Sequence, residues 1–420
     1  MFKLTLSTTM MLFLMVNFLK GQPISLKAQI DKILPGVEIN KLNASDHFLE
    51  EYEILIPQMV DHKDPKAGTF MQRVFLGHFD YESPIVMVTE GYSANDVTYE
   101  IAKKLRSNQL IVEYRYFGKS VPEDAEWKYL TNENAMKDLH RIHVLFSKIY
   151  KSKNWITTGI SKGGTTCLFY EAAYPKDSRI AIPYVGPMAD SPTDVRCDEH
   201  LKSIGDSGCR QALMDFQERV LDQKEEILPK LDSMSKQRDM VFSMGIEKAL
   251  EYSVLELSFS FWQYAHQCDK IPTNSTPNQS FQYLESISGF AFYADATIDY
   301  FRPSFYQFMT ENGYYGFVHE HLDDKLTEIK QFNNQYFAPR NTDLTYRPEF
   351  MIKAKKKLTK RKRVLQIQGE LDPWSACGLK LEGKDQFYFV KQGGGHSVRI
   401  ASFEKEKQDE IWNIIYSWMK

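Results

Sequence analysis

Hydrophobic and polar positions follow two alternating patterns along this chain. Short continuous apolar runs, typical of buried strands, occupy residues 84–89, 110–114 and 180–185. Between these runs, apolar residues recur three and four positions apart, as in residues 96–107 and 132–150, which predicts amphipathic helices. Because buried strands that alternate with helices form parallel sheets, the sequence predicts an α/β fold.

The alternation changes in two parts of the chain. Residues 52–56 and 70–76 are extended stretches on either side of a polar turn, which predicts an antiparallel start to the sheet. Residues 190–345 are helical in periodicity, rich in aromatic residues and without clear buried strands. The α/β pattern then resumes, so we expect a helical cap domain inserted into an α/β core. The core is expected to comprise residues 22–189 and 346–420.

The N-terminal pattern predicts export. Lys3 precedes a mostly apolar stretch at residues 4–19, and a short polar segment follows it. We interpret residues 1–21 as a signal peptide that is cleaved near Gly21. A transmembrane anchor is the alternative, but the apolar stretch is short and polar residues interrupt it. The mature protein is therefore expected to be secreted or periplasmic, with no stable membrane association.

The composition also limits the partners. With 420 residues, 43% of them hydrophobic, the chain can bury a large core. A formal net charge of -3 gives no broad attraction for nucleic acid or for anionic membranes. The basic run at residues 353–363 is one local cluster, which we interpret as a solvated helix face. We therefore expect no nucleic-acid partner.

Five cysteines leave at least one without an intramolecular partner. Cys197, Cys209 and Cys268 lie in the expected cap, where we favour a Cys209–Cys268 disulfide among the three pairings. Cys167 is expected in the core. The sequence shows no Cys-x-x-Cys pair and no histidine cluster with metal-ligand spacing, so neither a metal nor a cofactor is expected.

The most informative local motif is Gly-Ile-Ser-Lys-Gly-Gly at residues 159–164. It follows a short apolar strand and precedes an apolar helix, which is the context of a nucleophile elbow. In such an elbow the flanking residues must be small because the chain reverses tightly. We therefore expect Ser161 to be a nucleophile, although a plain glycine turn would have the same residues.

If Ser161 is the nucleophile of an α/β-hydrolase sheet, an acid and then a histidine should follow it, each after a late strand. Asp372 and His396 occupy such positions. Serine is a weak nucleophile at neutral pH, so the imidazole must take its proton and a carboxylate must orient the imidazole. Glu370 is the alternative acid. His319 and His321, in the expected cap, are weaker candidates for the base.

The tetrahedral intermediate of acyl transfer carries an oxyanion that needs two N–H donors in place. The backbone N–H of Lys162 is the first candidate because this residue follows the nucleophile. The second should come from the loop after an early strand, where we select the backbone N–H of Tyr92. The Lys162 side chain is expected to make only a surface contact.

These motifs together resemble one family, the secreted prolyl tri/tetrapeptidyl aminopeptidases. The resemblance runs from about residue 48 to the C-terminus, and the Ser-Lys-Gly-Gly element is its most specific part. The related prolyl carboxypeptidase and dipeptidyl peptidase family shares some motifs but typically has tyrosine where Lys162 stands. The motifs are T-E-G-Y at 89–92, E-Y-R-Y-F-G-K-S at 113–120, D-L-H-R at 138–141, G-I-S-K-G-G at 159–164, F-W-Q at 261–263 and D-P-W-S at 372–375.

The resemblance implies an α/β-hydrolase fold with a helical cap and a triad of Ser161, Asp372 and His396. It also implies removal of a tri- or tetrapeptide from a free N-terminus by cleavage after proline. Residues 171–173 lack the basic side chains often found there in the family, which leaves the fine specificity open.

Two substrate contacts are inferred from chemistry alone. A proline ring needs a flat apolar surface, which Trp374 beside the acid could supply, unless it only anchors the loop. A free amine needs a carboxylate near the cleft, and Glu90 is the best placed, unless it pairs with Arg115 or another arginine. Glu256 and Asp295 in the cap are the alternatives for the amine site.

Three other functions stay open at this point. A secreted carboxylic esterase could use the same triad, because a fold does not determine the acyl group. A dipeptidyl peptidase or prolyl carboxypeptidase would share several motifs. A binding protein with an inactive hydrolase fold is the third alternative, but the intact Ser161, Asp372 and His396 argue against it.

Overall fold

The computed structural model describes residues 25–124 and 126–420. The expected signal peptide, residues 1–21, lies outside the described residues. Within them, no helix is both long and apolar enough to cross a membrane.

One nine-stranded sheet organises the core. The strands are β1 (Glu38–Leu42), β2 (Glu50–Met59), β3 (Thr69–His78), β4 (Ile85–Thr89), β5 (Asn108–Val112), β6 (Trp155–Ile160), β7 (Ile180–Tyr184), β8 (Val364–Gly369) and β9 (Gln386–Lys391). Their spatial order is β1-β2-β3-β5-β4-β6-β7-β8-β9. The first three strands and the β3–β5 pair are antiparallel, which confirms the predicted antiparallel start. From β5 to β9 every neighbouring pair is parallel.

Helices cover both faces of this sheet. They are α1 (Leu26–Ile33), α2 (Glu100–Leu105), α3 (Asn132–Phe146), α4 (Lys162–Ala173), α11 (Glu349–Leu358) and α12 (Lys405–Met419). Alternate strand side chains pack against α1, α3, α4 and α11 on one face and against α2 and α12 on the other. The parallel strands are therefore buried on both sides, as their continuous apolar runs predicted.

The chain between β7 and β8 forms the helical cap. Its helices are α5 (Val195–Ser203), α6 (Ser207–Asp222), α7 (Lys224–Gln237), α8 (Ile246–Gln263), α9 (Pro277–Ile287) and α10 (Asp295–Gln307). Its aromatic side chains build a separate hydrophobic core, which explains the aromatic content of this part of the sequence. The fold is thus an α/β-hydrolase sheet with an inserted helical cap; the domain limits at residues 189/190 and 345/346 stay predictions.

The cap contains the Cys209–Cys268 disulfide, which confirms the favoured pairing. It joins the start of α6 to the short turn after α8. Cys167 is fully buried in α4, as expected for a core residue.

Some helix limits differ from the predicted ones. The helix expected at residues 96–107 comprises only Glu100–Leu105. The Gln109 side chain holds the preceding backbone extended, because it accepts a hydrogen bond from Tyr99 N (2.9 Å) and donates one to Val97 O (2.9 Å). A contact between a strand and the loop before the helix therefore shortens this helix.

Candidate active site

Ser161 lies at a sharp turn between β6 and α4. Its backbone has φ 59° and ψ -126°, a conformation that a non-glycine residue rarely adopts. Strained backbone conformations of this kind cluster at functional sites. The turn brings backbones into contact, since a Cβ on Gly163 would lie 2.6 Å from the carbonyl oxygen of Thr89. This geometry is that of a nucleophile elbow. Because α4 begins at Lys162, the positive end of the helix dipole lies beside Ser161.

His396 and Asp372 are brought together by the loops after β9 and β8. The distance from His396 Nδ1 to Asp372 Oδ2 is 2.7 Å, and Asp372 is fully buried. The other carboxylate oxygen of Asp372 accepts a hydrogen bond from Trp374 N at 3.2 Å. A hydrogen bond from Nδ1 to a buried carboxylate leaves Nε2 as the basic nitrogen of the imidazole.

The alternative acid and bases are engaged elsewhere. Glu370 accepts a hydrogen bond from Gly393 N at 2.8 Å and is exposed. His319 pairs with Asp323 at 2.6 Å, and His321 contacts Gln217 at 3.1 Å, both within the cap. Among these candidates, only His396 lines the cavity with Ser161, and Asp372 is its buried hydrogen-bond partner.

The loop after β4 packs directly against the elbow. A Cβ on Gly91 would lie 2.6 Å from Lys162 Cβ, so the two segments approach more closely than a side chain at residue 91 would allow. Tyr92 follows in this loop and, with Ser161, lines the same cavity. The two expected oxyanion donors, the N–H groups of Tyr92 and Lys162, therefore belong to segments in contact beside the nucleophile.

The Lys162 side chain is buried, and the expectation of a surface contact was wrong. Its Nζ donates a hydrogen bond to Gly91 O at 2.9 Å and lies 3.5 Å from the centroid of the Tyr114 ring. Burial lowers the pKa of this ammonium well below its ordinary value, partly opposed by Glu311. The side chain points inward because its first carbons pack against Gly91 in the loop after β4. Beneath this loop, the Tyr114 ring and the Gly91 carbonyl oxygen bind the ammonium group.

Ser161 and His396 open into one cavity of about 530 Å³ between core and cap. Trp374 forms part of its wall and is only 8% exposed, because it packs against Phe259, Tyr314 and Tyr315 of the cap. Both interpretations of Trp374 are thus compatible, since the ring anchors the loop and also faces the cavity. A second depression, about 640 Å³ in volume, is lined instead by cap residues such as Lys248 and Tyr336.

Two carboxylates line the same cavity. Glu90 accepts a hydrogen bond from Tyr99 OH at 2.7 Å, and burial raises its pKa to about 7. Arg115, the partner considered from sequence, pairs with Asp138 at 2.7 Å instead. Glu256 accepts hydrogen bonds from Tyr315 OH (2.7 Å) and Ser260 Oγ (2.9 Å), and burial likewise raises its pKa to about 7.

Asp295, the other cap alternative for the amine site, lies in a different depression. It accepts a hydrogen bond from Ser243 N at 3.0 Å at the start of α10. Of the three carboxylates considered, Glu90 and Glu256 therefore face the cavity and Asp295 does not.

Comparison with known proteins identifies the family. The model of the PS-10 peptidase S37 family matches residues 34–420. The chain belongs to this family. It is 31% identical to a prolyl tri/tetrapeptidyl aminopeptidase from Streptomyces mobaraensis, over 86% of this chain and 78% of that protein. It is 24% identical to the serine protease vicPb from Bipolaris victoriae, over 59% of this chain and 53% of that protein.

This S37 chain is therefore a serine peptidase. Among solved structures, a proline iminopeptidase from Mycobacterium smegmatis covers 91% of this chain and 97% of its own, with 12% identity and a TM-score of 0.38. An acetyl xylan esterase from a Thermoanaerobacterium species covers 94% of this chain and 93% of its own, with 11% identity and a TM-score of 0.39.

Sequence reasoning missed several cavity contacts of this S37 peptidase. The backbone N–H of His396 donates to the carbonyl oxygen of Gln263 at 2.6 Å, so the last turn of cap helix α8 supports the histidine loop. Tyr315 holds Glu256 in the cavity wall. The aromatic content of the cap signalled a packed wall, but no local pattern marked these individual contacts.

One group of possible metal ligands was also missed. Donor atoms of His140, His143 and Asp177 lie within 4.8 Å of one another, a grouping that the sequence analysis did not identify. The expectation of no bound metal stays a prediction. His140 Nδ1 already lies 2.6 Å from Asp177 Oδ2, which also accepts a hydrogen bond from Tyr170 OH at 2.6 Å. The cluster precedes β7 and is thus at the opposite end of the sheet from Ser161.

Proposed function

We propose that this serine peptidase is exported and releases N-terminal tri- or tetrapeptides by cleavage after proline. The observation that supports this proposal best is that Ser161, at a strained elbow, lines one cavity with His396, which is hydrogen-bonded to the buried Asp372. Export is proposed from the N-terminal sequence pattern, and the cleavage specificity from the resemblance to the Streptomyces enzyme.

In the proposed mechanism, His396 Nε2 takes the proton of Ser161 Oγ as this oxygen attacks the scissile carbonyl. Asp372 holds the imidazole through Nδ1 and stabilises its positive charge. The N–H groups of Lys162 and Tyr92 bind the oxyanion. His396 then protonates the leaving amine, and water hydrolyses the acyl-enzyme by the same steps in reverse.

Substrate recognition is proposed on the cap side of the serine. Trp374 offers an apolar surface for the proline ring, next to the loop of the acid. The free amine of the substrate is proposed to bind Glu90, with Glu256 as the alternative, because both carboxylates line the cavity. A cavity of about 530 Å³ that the cap partly covers suits a short peptide rather than a folded protein.

The test is a substrate panel on purified protein. Ala-Ala-Pro-anilide with a free amine should be cleaved efficiently, whereas its N-acetylated form and Ala-Ala-Ala-anilide should be poor substrates. Hydrolysis of a short acyl ester without cleavage of the proline peptide would refute the peptidase specificity and favour an esterase. The Ser161→Ala variant supplies the background rate for every substrate.

A further inference from the structure

Two buried cysteines meet where the cap contacts the loop of the acid. Cys197 lies in cap helix α5, and Cys377 ends the short helical turn Pro373–Cys377 that directly follows Asp372. Their sulfur atoms are 3.0 Å apart, and neither side chain is exposed. A disulfide bond is about 2.05 Å long, so the two sulfurs need to approach by only about 1 Å to bond.

The surrounding backbone holds both residues in place. The Cys377 carbonyl oxygen accepts a hydrogen bond from Met188 N at 2.8 Å, and Pro187 forms a bridge with Gly378. Cys197 Sγ also faces the carbonyl oxygen of Pro373 at 3.7 Å. Helix α5, which carries Cys197, also packs against the turn that carries Cys377. The fold therefore already brings the two thiols together.

We propose that Cys197 and Cys377 form a second disulfide, which ties the cap to the loop that carries Asp372 and Trp374. Oxidised glutathione can serve as the oxidant: two protein thiols and one glutathione disulfide give one protein disulfide and two molecules of reduced glutathione. The reaction proceeds by two thiol–disulfide exchanges, each started by a thiolate.

The bond forms during folding, before the cap closes over the pair. In the folded state, hydrogen bonding to Cys377 and burial raise the pKa of the Cys197 thiol well above its ordinary value, so the attacking thiolate is scarce. After the cap has closed, the burial of both sulfur atoms also keeps reductants away from the bond. The pairing also accounts for the odd cysteine number, because Cys167 in α4 then remains as the single buried thiol.

This bridge differs in its consequences from Cys209–Cys268, which joins two segments of the cap. The proposed bridge links residues 180 positions apart and connects the cap to the core. Its effect on catalysis, through the position of Asp372, rests on the proposed function; the bond itself does not.

The experiment counts thiols in the full chain after refolding in a mixture of reduced and oxidised glutathione. Free thiols are alkylated in denaturant and peptides are mapped without reduction. We expect one alkylated cysteine, Cys167, and a linked peptide that contains Cys197 and Cys377. Recovery of both residues as alkylated thiols, or of either in another pairing, would overturn the proposal. This readout needs no activity, so it is independent of the proposed function.

The double variant Cys197→Ser/Cys377→Ser measures how much the proposed bond stabilises the folded protein. The matched control is the double variant Cys209→Ser/Cys268→Ser, which removes the bridge within the cap. We expect the first variant to lower the equilibrium constant of folding by about 30-fold or more under oxidising conditions. The two buried serine hydroxyls lower stability by the same amount with or without the bond. After reduction in denaturant and refolding with reductant, the stability difference between wild type and variant should therefore shrink to this smaller cost. A difference of the same size with and without the bond would overturn the proposed cause.

Discussion

The core and the cap contribute to the cavity in different ways. The core supplies Ser161, Asp372 and His396 from the ends of parallel strands: Ser161 directly follows its strand, and the other two lie in the loops after theirs. The cap supplies Glu256 from the middle of a long helix and Tyr315 from an irregular segment. Because parallel strands end at one edge of the sheet, the topology alone brings the core residues together. The cap residues meet through contacts between segments far apart in the chain, such as the hydrogen bond from Tyr315 OH to Glu256.

The two parts are nevertheless joined close to Lys162, whose side chain bonds to the loop after β4 that carries Gly91 and Tyr92, called here the oxyanion loop. The π-helical turn Phe308–Asn312 follows α10, and Glu311 in this turn accepts a hydrogen bond from Asn132 N at 2.7 Å. Gln307 donates to Tyr114 OH at 2.9 Å, and the Tyr114 ring receives the Lys162 ammonium. The proposed triad thus belongs entirely to the core, whereas the proposed substrate contacts come from both parts, Glu90 and Trp374 from the core and Glu256 from the cap.

The largest effect should come from Ser161→Ala. Loss of the nucleophile should lower kcat by on the order of 10⁵-fold or more and abolish labelling by a fluorophosphonate. Ser93→Ala is the control, because Ser93 lines the same cavity but its hydroxyl donates a hydrogen bond to Tyr300 of the cap and has no role in the proposed mechanism. Near-normal turnover by a folded Ser161→Ala protein would contradict the assignment of the chemistry to the core.

Asp372→Asn should lower kcat by roughly 10³- to 10⁴-fold, because the imidazole loses the carboxylate that orients it. The matched control is Glu370→Gln, which changes an exposed carboxylate two residues away and should have little effect on kcat. The measurement is steady-state kinetics on one peptide and one ester. Equal losses in both variants would indicate a general disturbance of the loop.

The variants Glu90→Gln and Glu256→Gln test whether the core or the cap binds the substrate amine. If Glu90 binds the substrate ammonium, its variant should lose about 10- to 150-fold in kcat/KM on peptides with a free amine. Hydrolysis of a small acyl ester, which has no amine, should change little. The reverse ranking, with Glu256→Gln the more damaging on peptides, would place amine recognition in the cap.

Lys162→Met should lower kcat by about 10-fold with little change in KM, because Gly91 O loses its donor and the oxyanion loop is held less firmly. The ester should lose as much as the peptide, since both form an oxyanion. Lys128→Met, at an exposed lysine, is the control for loss of one charge. An effect confined to KM would show that Lys162 does not support the oxyanion loop.

The smallest effect concerns pH. Burial raises the pKa of Glu90 to about 7, so the carboxylate is largely neutral below this pH and ionised above it. The ratio of kcat/KM for a free-amine peptide to that for an ester should therefore fall about fivefold from pH 7 to pH 6. The ratio cancels the protonation of His396. In Glu90→Gln it should be flat over this range; an unchanged slope would exclude Glu90 as its source.

The sequence alone determined the parts of the molecule that follow from local rules. The elbow at Ser161, the strand-end positions of Asp372 and His396, and the antiparallel start were predictable because turn geometry and strand periodicity depend on neighbouring residues. The burial of Lys162, the partner of Glu90, the place of Glu256 in the cavity and the meeting of Cys197 with Cys377 became visible only in the folded molecule. These depend on segments far apart in the chain, which come together only when the hydrophobic cores of cap and sheet pack.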